Sequence, residues 1–305
     1  MTALNLPAET APGGVRLSPL VQGYWRLADW EQSAQETLSF LKAHAELGVT
    51  SVDHADIYGD YRCEALFGEA LALEPAVRDQ LQLVTKCDIM LLSGQYPERR
   101  TKHYDTSAAH ITQSVENSLE RLGTDRIDLL LLHRPDPLMV AEEVARAFEE
   151  LHSAGKVLHF GVSNFAPATC DLLQSRMAPP ISTNQVEINP FSLPHLPEGT
   201  LDWLQQHRTR PMAWSCLAGG RVFSDDSGPS RRLREAAIAV GEELGGARLD
   251  QVLIAWALAL PSRPLPIIGS GRIERVQAAI AATELSLSRE QWFRLLEAAQ
   301  GSEVP

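Results

Sequence analysis

Short apolar or β-branched runs alternate along this chain with longer stretches in which apolar residues recur every three or four positions. The short runs are residues 20–23, 51–53, 83–86, 127–133, 157–163, 182–187, 210–214 and 265–268. Each reads as a strand, and a continuous run such as Leu129-Leu130-Leu131-Leu132 is the pattern of a strand covered on both faces. Between the runs, Leu38, Leu41, Ala45 and Leu47 fall roughly on one helical face. Ile111, Val115, Leu119 and Leu122 do so more cleanly, and Gly123 is placed to cap that helix. Val140, Val144, Ala147 and Leu151 repeat the spacing ahead of Gly155. Units of strand then helix predict a parallel sheet. A closed (β/α)8 TIM barrel holds all eight runs more simply than an open sheet. A further periodic segment, 289–299, predicts one more helix after the last unit.

No linker or low-complexity tract divides the chain, so residues 1–305 are expected to form a single barrel domain. Two long loops, 88–107 and 189–200, follow the third and sixth runs, the second carrying Pro190, Pro194 and Pro197. Both leave C-terminal strand ends, the face on which such barrels carry their sites.

Composition narrows the function. With 44% hydrophobic and 22% charged residues, the chain can bury a large core without disulfides. Its four cysteines, Cys63, Cys87, Cys170 and Cys216, are scattered and form no CxxC pair, which fits a reducing cytoplasm. The first residues lack a basic then apolar leader, and the apolar run 252–260 ends at Pro261, well short of the ~18 residues of a membrane span. A cytoplasmic protein with no membrane partner is expected. The net charge of −12 argues against a nucleic-acid partner, and an anionic cofactor would need a local cluster of cations. The nine histidines form no HxH or HExxH pair, so no metal site is expected, and no GxSxG nucleophile elbow occurs. A barrel hydrolase would need one or the other. No pattern specifies an oligomer.

Polar residues at the ends of apolar strands carry the candidate chemistry. Asp53 closes the second strand, with Tyr58 in the loop that follows; Lys86 closes the third and His133 the fourth. In a barrel these side chains converge on one mouth. Singly, Asp53 and Lys86 also read as a structural ion pair, His133 as a satisfied core histidine and Tyr58 as packing. Their joint placement favours a site.

Val52-Asp53-His54-Ala55-Asp56-Ile57-Tyr58-Gly59 resembles the aldo-keto reductase signature, an Asp followed after four residues by Tyr-Gly. Thr85-Lys86 and Leu131-Leu132-His133-Arg134-Pro135 resemble the family's lysine and histidine segments, and the likeness runs from Gly23 to about Thr283. It implies a catalytic tetrad of Asp53, Tyr58, Lys86 and His133, reducing a small-molecule aldehyde or ketone with NADPH. Tyr58 would give the proton, Lys86 would lower the phenol's ordinary pKa of ~10, Asp53 would hold the lysine, and His133 would orient the carbonyl.

The resemblance also implies a cofactor site for NADP. Gly161-Val162-Ser163-Asn164-Phe165 is similar to the family's fifth-strand motif, so Ser163, Asn164 and Gln185 would bind the nicotinamide carboxamide. A turn or helix cap is the plainer reading of Ser163-Asn164. Trp214 stands where the family often has a tyrosine stacked on the nicotinamide, and core packing is its other reading. Gly23, Ser215 and Leu217 join this set, and Gly219 and Gly220 would let the backbone approach the pyrophosphate. Gly269-Ser270-Gly271-Arg272 opens a helix but is no Rossmann fingerprint, because Glu274 holds the third glycine position. It reads instead as a phosphate site, Gly269, Ser270, Arg272 and Arg275 facing the adenosine 2′-phosphate, with solvated arginines on a capped helix as the alternative.

The chain departs from the family at His54, a common threonine, at Gly269, often a lysine, and at Ala278 and Ala279, often a Glu and an Asn beside the adenine. Tyr24, Trp25, Trp30 and Tyr61 are expected near the mouth, as an aromatic pocket wall or as cofactor packing. A rival class is a regulatory protein that keeps fold and cofactor, like channel-associated relatives; the complete tetrad favours turnover.

Overall fold

A computed structural model describes residues 7–305. Eight parallel strands close into a barrel. They are β1 (Val21–Gly23), β2 (Ser51–Asp53), β3 (Gln82–Cys87), β4 (Ile127–Leu132), β5 (Val157–Ser163), β6 (Ile181–Glu187), β7 (Met212–Trp214) and β8 (Leu265–Ile268). Each pairs with its sequence neighbours and β8 returns to β1, so the predicted barrel is the observed fold. Gly23 ends β1 where a Cβ would stand 2.7 Å from Ile267 Cγ2, so barrel packing alone accounts for the glycine.

Helices α1 (Ala34–Glu46), α2 (Cys63–Leu73), α3 (Ala108–Leu122), α4 (Ala141–Ser153), α5 (Pro167–Gln174) and α6 (Thr200–Gln206) follow β1 to β6. Local chemistry sets their ends. Ser33 and Glu36 form a capping box at α1, and Ser107 caps α3, which Gly123 terminates in the left-handed conformation. After β7 come two long helices where one was expected, α7 (Gly228–Glu243) and α8 (Leu249–Leu258). Helix α8 packs on β8; α7 lies against α8 and the final helix α10 (Arg289–Gln300), and α9 (Ile273–Ala282) follows β8. Trp256 of α8 and Trp292 of α10 stack at 4.7 Å, each indole donating to the other's carbonyl at 3.0 Å.

Two small hairpins lie outside the expected pattern. Ala8–Glu9 pairs with Arg16–Leu17, and Val15 and Leu17 fill the barrel's N-terminal end against Val21, Val84, Leu129, Leu131, Met212 and Leu265. Within the long loop after β3, Ile89–Met90 pairs with His103–Tyr104. No helix among the described residues is long and apolar enough to cross a membrane.

Candidate active site

The C-terminal ends of β2, β3 and β4 bring Asp53, Lys86 and His133 to one mouth. Lys86 is fully buried. Its ammonium donates to both Asp53 oxygens (2.8 and 2.9 Å), to the His54 carbonyl (2.6 Å) and to the Tyr58 hydroxyl (3.1 Å). Three N–H groups thus have fixed acceptors, and the Tyr58 oxygen accepts one hydrogen bond while keeping its own proton free for another acceptor. Asp53 Oδ1 accepts a further bond from Gln185 Nε2 at 2.9 Å. Burial would push the Lys86 ammonium down, but Asp53 and Tyr58 outweigh it and hold the lysine above its ordinary value.

The turn after β2 places Tyr58. Gly59, Asp60 and Tyr61 are all left-handed, with φ of 58°, 57° and 64°. A Cβ at Gly59 would stand 2.6 Å from Cys63 Sγ and 2.9 Å from Ala28 Cβ, so only glycine fits. Strain at the two non-glycine positions costs about 1–3 kcal/mol each. It is offset by hydrogen bonds that fasten the turn to the long loop, where Leu91 N–H and Arg99 both donate to the Tyr61 hydroxyl (3.1 and 2.6 Å).

Protonation follows from burial. The Tyr58 phenol lies above its ordinary pKa because desolvation outweighs the lowering by Lys86. Lys86 acts in the expected direction, through its charge and its hydrogen bond, and in this structure limits the rise that burial imposes. The His133 imidazole is pushed well below its usual range by burial, then by Lys86, Arg134 and Lys102. It is therefore neutral at pH 7 and can donate an N–H. Its ring meets Tyr58 edge-on at 5.9 Å, and its buried Nδ1 has no partner among the described residues.

Around the mouth, Ser163 Oγ donates to the Gln185 carbonyl (2.9 Å), Asn164 Nδ2 donates to Ser163 Oγ (2.8 Å), and Trp214 Nε1 donates to Asn164 Oδ1 (3.3 Å). The four residues named from the sequence form one connected edge. Beyond β7, Ser215, Ala218, Gly219 and Gly220 all have positive φ, giving a sharply curled segment that also carries Leu217. Arg26 reaches from the β1 loop to the Gly219 carbonyl at 3.3 Å. Gln22 Nε2 donates to the Ser270 carbonyl at 3.1 Å and so positions the turn after β8. Sequence reasoning passed over both residues. A polar side chain inside a buried strand was a signal for Gln22; exposed Arg26 carried none.

The turn after β8 divides the expected phosphate group. A Cβ at Gly269 would meet nothing within 4 Å, so the space beside it is open. The Arg272 side chain is 73% exposed and forms an ion pair with Glu274 at 3.8 Å. Arg275 is bound to Asp250 at 3.0 Å, a bond that holds α9 to α8. Ala278 and Ala279 are buried in the packed face of α9.

Two of the four aromatics lie at the loops of the mouth: Trp25, and Trp30, whose ring would stand 2.6 Å from a Cβ at Gly271 in the turn after β8. Trp25 is 57% exposed and lies 6.5 Å from the Tyr58 ring. Tyr24 is buried core, its hydroxyl donating to His44 Nε2 at 2.8 Å. Trp30 packs on Tyr24 and Phe40. Tyr61 lines a separate cavity of about 120 Å³ with Tyr96, Arg99 and Arg121. Tyr24 has apolar partners inside that repay full burial, Trp30 is only partly buried, and Tyr61 is turned away by the reversal after Tyr58.

A closed parallel barrel with a buried lysine, its carboxylate and a tyrosine at the mouth defines a class of carbonyl-reducing barrels. The model of the Aldo/keto reductase family matches residues 19–300, and the chain belongs to that family, whose members are oxidoreductases acting on carbonyl compounds with nicotinamide cofactors. The oxidoreductase YdhF of Escherichia coli is 56% identical, with 97% of this chain and 98% of that one covered. A 6-dehydroglucose reductase of Agrobacterium fabrum is 42% identical over 95% and 97% of the two chains. Among solved structures, an aldo/keto reductase of Klebsiella pneumoniae in complex with NADP and acetate superposes with a TM-score of 0.73 at 28% identity, covering 93% of this chain and 94% of that one.

Proposed function

We propose that this protein reduces an aldehyde or ketone to an alcohol with NADPH, Tyr58 acting as the general acid. The observation that carries this reading is the saturated ammonium of Lys86. Every lysine N–H is committed, one of them as a hydrogen bond to the Tyr58 oxygen, so Lys86 has no proton to offer a substrate and the phenol's own is left free to be given. A phenol above its ordinary pKa carries that proton at neutral pH, and Lys86 stabilises the phenolate once it is given away.

The residues present fit a nicotinamide dinucleotide. Asn164 stands in the left-handed conformation beside Trp214, an open space lies at Gly269, and Arg272 offers an exposed cation. A carboxamide bound at Ser163, Asn164 and Gln185 would take over the hydrogen bonds that the Ser163 and Asn164 side chains now make to the Gln185 carbonyl and to each other, and the one the Gln185 side chain makes to Asp53. Trp214 would stack on the ring, and the curled Ser215–Gly220 backbone would face the pyrophosphate. When bound, the reduced nicotinamide supplies a hydride to the carbonyl carbon. His133, neutral, donates its Nε2 proton to the carbonyl oxygen as a hydrogen bond and orients it; Tyr58 transfers its own proton to that oxygen. Asp53 keeps Lys86 charged and in place throughout. The 6-dehydroglucose reductase relative suggests an aldehyde on a polar carbon chain as one substrate type.

The test is Tyr58→Phe. Turnover of aldehydes is expected to fall by roughly 10²–10⁴-fold, while NADPH quenching of protein fluorescence keeps its midpoint. Near-wild-type turnover would remove Tyr58 from the mechanism.

A further inference from the structure

Arg134 follows His133 directly and takes no part in the proton transfer described above. Its backbone N–H is held by Asp88 (3.2 and 3.1 Å), but its guanidinium makes no hydrogen bond or ion pair among the described residues. The guanidinium carbon stands 5.9 Å from the centre of the Trp214 ring, and the residue is half-buried. The nearby carboxylates are already engaged: Asp53 with Lys86 and Gln185, Asp136 with Thr106 and the Leu138 N–H, Asp88 with the backbone of Arg134 itself. Arg134 is the chain neighbour of His133, and its positive charge lowers both the Tyr58 phenol and the His133 imidazole. Lys102, exposed on the loop after β3, adds a second positive charge on the His133 side.

A half-desolvated guanidinium without an acid is a standing cost that an oxyanion relieves, and its planar fork suits two carboxylate oxygens. Around it the chain carries a net charge of −12, so these local cations would focus an approaching anion that the rest of the surface repels. Resting on the reductase reading, we propose that the carbonyl substrate carries a carboxylate and that Arg134 is the specificity-determining residue that binds it. The reacting carbonyl then lies at Tyr58 and His133, with the carboxylate at the Trp214 side of the mouth and Trp25 covering the apolar body between.

The test compares the three carboxybenzaldehydes with the matching formylbenzamides, isosteres that lack only the charge. In the best ring position the wild type is expected to favour the acid at least tenfold in kcat/KM. Arg134→Gln should cut kcat/KM for the acid by about 10- to 150-fold and so abolish the preference, through KM with kcat little changed, and Arg134→Lys should fall between. No preference for the acid at any ring position, or an equal loss on acid and amide, overturns the proposal and leaves Arg134 as a packing partner of Trp214. If the wild type reduces neither set, the reductase reading fails. Benzoate titrated calorimetrically into wild type and Arg134→Gln then decides the anchor alone: binding at least tenfold weaker in the variant upholds it, and equal binding overturns it.

Discussion

His54 shows how far a single residue's ordinary chemistry can be suppressed to support a neighbour. Its ring stacks on Tyr24 at 5.0 Å and meets Phe67 edge-on at 4.4 Å, and neither ring nitrogen has a partner among the described residues. The site needs its backbone, because the His54 carbonyl is one of the three acceptors of Lys86. Burial, then the charge of Lys86, pushes the imidazole down to about 3. In the unfolded chain it takes a proton near 6.5, so between these values the unfolded state holds more protons. The His54 contribution is therefore complete above pH 6.5 and is lost at about 1.4 kcal/mol per pH unit as pH falls toward 3. Asp56 works in the opposite direction: burial and Glu64 raise it to about 8, so its neutral folded form favours the native state as pH falls from 8 toward 4. Because the two oppose, the wild-type profile does not isolate either, but a variant does. His54→Thr should be less stable at pH 7 through its cavity, yet should lose about 2–3 kcal/mol less than wild type between pH 7 and pH 4.5 in urea titrations. Equal acid losses would show that the imidazole is protonated inside the fold.

At the scale of elements, the barrel was legible because its strands are apolar runs punctuated by capped helices, and the closure order follows from the number of units. What escaped notice were pieces that do not bury a periodic face on the sheet. The strands of the N-terminal hairpin are two residues each, too short to show a period, although Gly13-Gly14 marks the turn between them. Helix α7 packs chiefly on the helices α10 and α8, so it lies outside the strand–helix count. The run read as residues 210–214 is a strand only over Met212–Trp214, because Arg210 turns its amide to the Thr10 carbonyl beside the hairpin. The hairpin carries a prediction. Leu17 is fully buried against the barrel interior at the end opposite the mouth. Leu17→Ala should cost about 2–5 kcal/mol in chemical denaturation and leave kcat unchanged, since the lysine cluster lies at the other strand ends. A fall in kcat with stability intact would show that the plug reaches the site.

For the whole molecule, the mouth concentrates cations in a chain of net charge −12, and which of them were legible depends on what else they touch. Asp53, Lys86 and His133 were readable because each stops an apolar strand. The role of Arg275 was not, because its partner Asp250 lies on another helix and no local spacing links the two. That pairing leaves Arg272 as the more available guanidinium of the 269–275 segment, held only by an exposed ion pair to Glu274 at 3.8 Å. NADPH differs from NADH by a dianionic phosphate, and a surface this acidic opposes it unless a cation compensates. A charge-assisted hydrogen bond contributes roughly 1.5–3 kcal/mol, or about 10- to 150-fold in affinity. Arg272 stands mostly in water, so screening brings the expectation to the low end, about tenfold. Arg272→Ala should weaken NADPH by about that factor and leave NADH nearly unchanged, and raising salt should weaken NADPH more than NADH in the wild type. Fluorescence titration of both cofactors against both proteins measures this directly. Equal losses for the two cofactors would mean that Arg272 supports the turn after β8, and equal wild-type affinities would mean that the 2′-phosphate is not read at all.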